Sequence, residues 1–160
     1  DDYRIFDDNF GSSIRRSLLN EVPNLTEILE FYVEFYQRSQ MEHDTIITSL
    51  IYAERVIKLT NAGLVPTIRN WRSLLFSTMI LSSKVWDDLS MLNVDFSNVT
   101  AHTAGLSSFT LSRINELELA LLKCLQFNVK IPAGEYAKVI QKLARKFFFI
   151  FDLFFFLAYA

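Results

Sequence analysis

Between Leu74 and Leu81 the chain is apolar on nearly every side of a helical wheel. A helix that is hydrophobic all round belongs in the centre of a helical domain. This run closes on Ser83-Lys84-Val85-Trp86-Asp87-Asp88, with a cation, an indole and two carboxylates, so one tip of the buried helix has to reach the surface. Further along, Glu118 stands on another helical stretch with Ile114, Leu121 and Leu122 as near neighbours and no cation at the i±3 or i±4 positions. A lysine at the tip of a core helix and a glutamate without a local counter-charge are expected to be kept for a partner chain.

The rest of the sequence can build a domain around that centre. At 160 residues and 51% hydrophobic content it supplies one real core. Only four glycines and three prolines interrupt long periodic stretches, and the period-two alternation of strands is missing. Asp1 to Asn24 is polar and irregular and is expected on the surface. A first helix is predicted from Thr26, its cap, to Arg38, burying Ile28, Leu29, Tyr32, Phe35 and Tyr36. A second starts near Asp44, carries Ile46, Ile47, Leu50, Ala53 and Ile57 at helical spacing, and stops at Asn61-Ala62-Gly63, where glycine tolerates the left-handed conformation.

The third helix is predicted from Trp71 to Leu89, capped by Asn70, with Leu74, Leu75, Met79 and Leu81 the most enclosed. Its small Thr78 and Ser82, one turn apart, allow a neighbouring helix to approach closely. Met91 to Phe109 reads as a connection with a short turn or helix around Asp95 to Val99. Thr110 caps a fourth helix with Ile114, Leu117, Leu121 and Leu125 on one face. Pro132 opens a fifth that turns Tyr136, Val139, Ile140 and Leu143 inward. The expected fold is all-α, a single five-helix bundle around a buried third helix. Its divisions are an irregular segment 1–24, the bundle 25–146 and a tail 147–160.

Catalytic chemistry is not legible in this chain. His43 and His102 have no metal-ligand spacing to another His, Cys or carboxylate, and the four glycines stand alone rather than in a phosphate loop. Asp87 and Asp88 diverge by roughly 100° on a helix and do not share a proton, so they read as a solvated helix end. No catalytic residue, metal or cofactor is expected. With net charge −2 and scattered basic residues, a dedicated nucleic-acid surface is not expected either. The single cysteine, Cys124, reads as a small packing residue and fits a reducing intracellular compartment, cytoplasmic or nuclear. Because the sequence opens at Asp1 it reads as a fragment, silent on signals and lipidation.

The C-terminal end stands apart. Lys138, Lys142, Arg145 and Lys146 form a basic stripe, followed by seven phenylalanines in the last fourteen residues. A spanning helix needs about twenty apolar residues, and this stretch is too short and contains Asp152. Folding back onto the bundle, or an origin in a doubtful gene model or truncation, is preferred to a membrane-surface helix, which would make the chain membrane-proximal.

Several segments in order resemble the cyclin box, and within it the cyclin Y-like subfamily. They are Tyr52-Ala53-Glu54-Arg55, Asn70-Trp71-Arg72, Ser82-Ser83-Lys84-Val85-Trp86-Asp87-Asp88, Asn93-Val94-Asp95-Phe96, Asn115-Glu116-Leu117-Glu118 and Leu125-Gln126-Phe127-Asn128. Tyr136-Ala137-Lys138 extends the match, and Ile5-Phe6-Asp7-Asp8 is similar to the segment that precedes the box in cyclin Y-like proteins. The box segments, without that preceding one, span about Asp44 to Lys142. The sequence departs from the cyclin pattern in lacking the Met-Arg-Ala-Ile-Leu docking segment on the first helix, as cyclin Y-like members also do. Thr100 to Ser108 is longer than the family connection and is expected to loop outward.

The resemblance implies a five-helix bundle and a regulatory subunit with no catalysis of its own. In cyclins a lysine ending the third helix and a glutamate on the fourth bond to backbone near the kinase C-helix, and those positions match Lys84 and Glu118. The surrounding apolar contacts match Leu81, Val85, Leu122, Phe127 and Val129. The implied partner is a cyclin-dependent kinase of the PFTAIRE or PCTAIRE type. The alternatives are a cyclin-fold adaptor of the transcription machinery and a membrane-associated helical protein, the latter resting on the tail alone.

Overall fold

A computed structural model describes residues 3–10, 24–101 and 109–145. Expectations for His102, for the outward loop beyond Ala101, and for Lys146 and the Phe-rich end lie outside those residues. The chain divides into two compact units, Asp1–Val129 and Lys130–Ala160. Among the described residues all regular structure is helical. The first unit contains a 3₁₀ turn, Arg4–Phe6, and helices α1 (Leu25–Arg38), α2 (His43–Leu59), α3 (Trp71–Trp86), α4 (Asn93–Ala101) and α5 (Leu111–Cys124). The second contains α6, residues 133–145, with Tyr136, Val139 and Leu143 half-buried and Ile140, expected inward, exposed.

Every residue of α3 from Trp71 to Ser83 except Leu75 is buried, so the all-α bundle around this helix is as expected, with Leu75 only half enclosed. Phe76 is the hub of its aromatic packing. It stacks on Phe109 at 4.0 Å and tilts against Phe35 of α1 at 4.9 Å, while Phe35 also meets Phe96 of α4 at 6.0 Å. Such ring pairs add to simple area burial. The segment read as a connection therefore contains a full helix, α4, tied into the core by Phe96.

The faces of α1 and α2 differ from the expected ones. Asn24, not Thr26, caps α1, its side-chain oxygen accepting from Glu27 N at 2.8 Å. Leu29 points outward, and Phe31 is buried edge-on against Trp71 at 5.3 Å. On α2 the enclosed residues are Thr45, Thr48, Ser49, Ile51, Tyr52, Ala53 and Val56, whereas Ile46, Ile47, Leu50 and Ile57 are half-buried. The cause lies on α3. Its small residues let α2 come close, and the small hydroxyl residues of α2 fit there. Thr48 Oγ1 bonds Ser82 Oγ, which also donates to Thr45 O at 3.0 Å. Burial pushes the Tyr32 hydroxyl of α1 up to about 12, so it stays a proton donor toward Ile46 O of α2 at 3.3 Å, and it also bonds Ser49 Oγ.

The stop after α2 uses Asn61 and Ala62, with φ of 51° and 61°, for the left-handed turn. Gly63 is required for a different reason. A Cβ there would sit 2.9 Å from both Thr60 O and the Tyr3 ring.

Both ends of α3 depart from the sequence reading. Asn70 does not cap it through its side chain, which instead bonds Thr67 N at 2.6 Å and Val65 O at 3.0 Å. The cap comes from far away in sequence. The Asp8 carboxylate accepts from Ser73 N at 2.8 Å and Arg72 N at 3.4 Å, and Asp8 N donates to Arg69 O at 2.6 Å. The opening segment expected on the surface thus carries two buried residues, Phe6 and Asp8. Arg113 of α5, itself buried, braces the same segment. Its Nη2 donates to Asp7 O at 2.9 Å and Ser73 Oγ at 3.4 Å, and its guanidinium lies 5.2 Å from the Phe10 ring centre. Asp7 in turn pairs with Arg69 at 2.9 Å. At the other end α3 stops at Trp86, because Asp87 takes an extended conformation.

Met79→Ala should cost about 2–5 kcal/mol through the cavity left in α3's enclosed surroundings, read as a lower urea midpoint at unchanged slope. Asp8→Ala should cost about 0.5–2 kcal/mol by opening the α3 cap. Burial pushes the Asp8 carboxyl above the ordinary aspartate value, partly offset by its bonds to Ser73 and the charge of Arg72. A raised native value means that the native chain holds the proton longer than the unfolded one. Relative to Asp8→Asn, which keeps a capping oxygen but does not titrate, wild-type stability should therefore be greatest below about pH 4. It should then fall as pH rises toward the native value. Urea melts of both proteins across that window check the sign.

Candidate partner-binding site

The tip of α3 and the middle of α5 meet through charge. Lys84 Nζ bonds Glu118 Oε1 at 2.6 Å. The other oxygen of the same carboxylate, Oε2, accepts from Asn93 Nδ2 of α4 at 2.8 Å, and that amide also donates to Asn115 Oδ1 at 2.7 Å. The two charges expected to await a partner are thus paired with each other. Glu118 does lack a cation at the i±3 and i±4 positions of its own helix, but α3 supplies one. The side chains of Lys84 and Glu118 are 28% and 19% exposed, so the pair stands at the edge of the bundle, accessible yet mostly shielded from water.

The carboxylate three residues beyond Lys84 has other partners. Asp87, read as a solvated helix end, accepts from Glu42 N at 3.2 Å, Thr45 Oγ1 at 2.6 Å and Ser83 Oγ. Its neighbour Asp88 donates its backbone N–H to Glu42 Oε1 at 3.3 Å. Glu42 itself gives α2 no side-chain cap. A carboxylate beside that helix N-terminus meets its positive end favourably. The motif residues Asp87 and Asp88 therefore close the α2–α3 junction.

The apolar residues predicted for the site divide by depth. Leu81 is buried, so it supports the tip from beneath, not as part of an exposed ring. Val85 is exposed and Leu122 half-buried. Phe127 is 61% exposed at a φ of 58°, and Val129 is half-buried. The sequence reading missed two exposed apolar residues in the link between α3 and α4: Leu89 is 95% exposed and Leu92, next to Asn93, 68% exposed. The sequence reading ends the third helix at Leu89 and places Leu92 in the connection that holds a short turn or helix around Asp95 to Val99. Asn93 and Asn115 were quoted within motifs, but nothing in their spacing revealed that Asn93 bonds both Asn115 and Glu118.

The motifs around the C-terminus of α5 also meet. Arg55 Nη1 donates to Asn128 O at 2.8 Å and the Tyr52 hydroxyl to Val129 O at 2.7 Å. Arg55 and Tyr52 of α2 thus fasten the chain that leaves α5. Thr110 caps α5 as predicted, its hydroxyl accepting from Arg113 N at 3.3 Å. Burial pushes the Cys124 thiol up, which keeps it protonated and suits a packing role. Among the described residues no group of three His, Cys, Asp or Glu side chains could hold a metal, and no helix is long and apolar enough to cross a membrane.

Chemically, the pair presents both polarities at one spot. An ammonium has three donors and a carboxylate about four lone-pair sites, so Lys84 and Glu118 have capacity beyond their mutual bond. A backbone segment, with its alternating C=O and N–H groups, suits such a pair. Removing Asp87's carboxylate breaks three bonds at a helix junction, so Asp87→Ala should cost about 1–3 kcal/mol. Lys84→Ala removes an edge pair and should cost no more than about 1 kcal/mol. Parallel urea titrations of the two variants test this order, and equal losses would contradict it.

The sequence model of the cyclin family matches residues 12–129, a stretch that contains all of α1 to α5. Members of that family are generally kinase regulators without catalysis of their own, and the match implies a cyclin-type kinase-regulatory role. By the extent of that match, and with an all-α bundle built around α3, this chain belongs to the cyclin family.

Proposed function

We propose that this chain is a cyclin Y-like regulatory subunit that binds and allosterically activates a cyclin-dependent kinase of the PFTAIRE or PCTAIRE type. The observation that carries the reading is the Lys84–Glu118 pair at 2.6 Å, joining the tip of the buried helix to α5 at a part-exposed edge. The proposed cyclin box spans residues 25–146, with 1–24 and 147–160 as flanking segments. The proposed kinase-binding residues are Lys84 and Glu118 for polar contacts, with Val85, Leu122, Phe127 and Val129 for apolar ones and Leu81 as their support.

Phe127 favours this assignment. A bulky residue at positive φ is an outlier that its surroundings have to impose. Here the turn is fastened by Phe127 N to Leu122 O at 2.8 Å and by the bonds from Arg55 and Tyr52 to the next two carbonyls. The result is a ring largely in water, which gains by being covered.

In the proposed mechanism the chain prefers the active position of the kinase C-helix to the inactive one and so shifts that equilibrium. The active position lets the kinase form its Lys–Glu ion pair. The adaptor reading is disfavoured by the near-neutral charge, since nucleic-acid affinity rests mainly on neutralising phosphates. Liposome flotation of the chain with and without residues 147–160 tests the membrane reading. Strong binding lost with the tail would favour it.

Lys84→Ala or Glu118→Ala should weaken binding to a purified PFTAIRE-type kinase by about 2–3 kcal/mol, roughly thirty- to a hundred-and-sixty-fold, and lower kinase activation in step. Helical content and melting temperature should stay nearly unchanged. Glu116, exposed on α5 and bonded locally to Ser112 at 3.2 Å, is the control. Equal harm from Glu116→Ala, or none from Lys84→Ala and Glu118→Ala, overturns the reading.

A further inference from the structure

We propose that Asn93 is the residue that positions the Glu118 carboxylate for the partner kinase, an inference that rests on the kinase-binding reading above. Asn93 is the first residue of α4, and its single amide nitrogen spans one turn of α5, reaching Asn115 Oδ1 at 2.7 Å and Glu118 Oε2 at 2.8 Å. Lys84 takes the other carboxylate oxygen at 2.6 Å. The carboxylate is thus gripped on both oxygens from two different helices, which fixes the plane of the group as well as its position.

The amide has one workable orientation. Turning it over would set Asn93 Oδ1 against the Glu118 oxygen, two acceptors facing each other with no proton between them. In the orientation present, Oδ1 is buried and without a hydrogen-bond partner. An orphaned acceptor is unfavourable, so the arrangement gives up one bond in order to direct both N–H groups at α5. The anchor under it is firm. Phe96, one turn on, is fully buried, and Leu92 N donates to Asp95 Oδ2 at 3.1 Å at the start of α4. A side chain that served only to join α4 to α5 would have no need to meet the one carboxylate that also takes the lysine.

Affinity for a purified PFTAIRE-type kinase, measured by calorimetry with the intact 160-residue chain, tests this. Asn93→Ala should weaken binding about ten-fold with the melting temperature of the free chain nearly unchanged. In the Glu118→Ala background the same substitution should have no further effect, because its action passes through that carboxylate. Asn93→Asp keeps the shape but loses the donor and adds a like charge, so it should weaken binding at least as much as alanine. Retained affinity in Asn93→Asp, or independent losses from Asn93→Ala and Glu118→Ala, overturns the proposal. Full affinity in Glu118→Ala overturns the kinase-face reading itself, whereas loss in Glu118→Ala with full affinity in Asn93→Ala overturns the role of Asn93 alone.

Discussion

A helix enclosed on all sides has its unsatisfied backbone groups at its two ends, and α3 depends on how those ends are closed. At the N-terminus the donors of Arg72 and Ser73 point into the protein, where water cannot serve them. Asp8 serves them from a segment more than sixty residues earlier, as the separations of 64 and 65 residues record. A buried carboxylate is itself unfavourable without bonds and nearby positive charge. Arg113 of α5 is drawn into the same place, its own ionisation opposed by burial and supported first by Asp8. One cap therefore links the opening segment, α3 and α5.

The other end of α3 follows from the same constraint. The chain must leave the core after Trp86, and Asp87 turns it while bonding the start of α2. Between the two ends the register against α2 is set by Thr48 and Ser82, where small side chains let the backbones draw close. Because α3 is held at both ends and along its length, its last turn projects Lys84 and Val85 from a fixed base. A site on the tip of a braced helix is better defined than one on a loop.

What the sequence made legible was local. The all-round apolar run of α3 has no reading except burial, and Thr110 caps α5 by a bond three residues long, so both could be read from residue order. The misses are tertiary. Asp8 looks like one acid among several until α3 needs a cap, and Asn70 looked like that cap because it occupies the right position. Thr45, Thr48 and Ser49 look like an outer face by polarity, yet small size outweighs polarity where two helices touch and hydroxyls can bond each other or nearby carbonyls. The short apolar periodicity of α4 could not be told from a turn, and its burial rests on Phe96 meeting Phe35. In the candidate site, Lys84 and Glu118 were found by type and position. That they bond each other, with Asn93 as third member, depends on α4 being a helix placed against α5.

The intramolecular pairing bears on how the proposed kinase interface can work. An isolated lysine and glutamate entering an interface would each shed water at a cost that their new contacts have to exceed. Lys84 and Glu118 have already met that cost in part, since both side chains are mostly shielded in the free chain. Together they carry no net charge, so a partner backbone approaching them meets matched dipoles, not a lone ion. Polar contacts of this kind orient a partner, whereas exposed apolar residues such as Val85, Leu89, Leu92 and Phe127 have area left to bury. Backbone is common to all kinases of this class. Discrimination among them would therefore fall to apolar contacts, for which Leu89 and Leu92, in the link between α3 and α4, have the largest fractions exposed of these four.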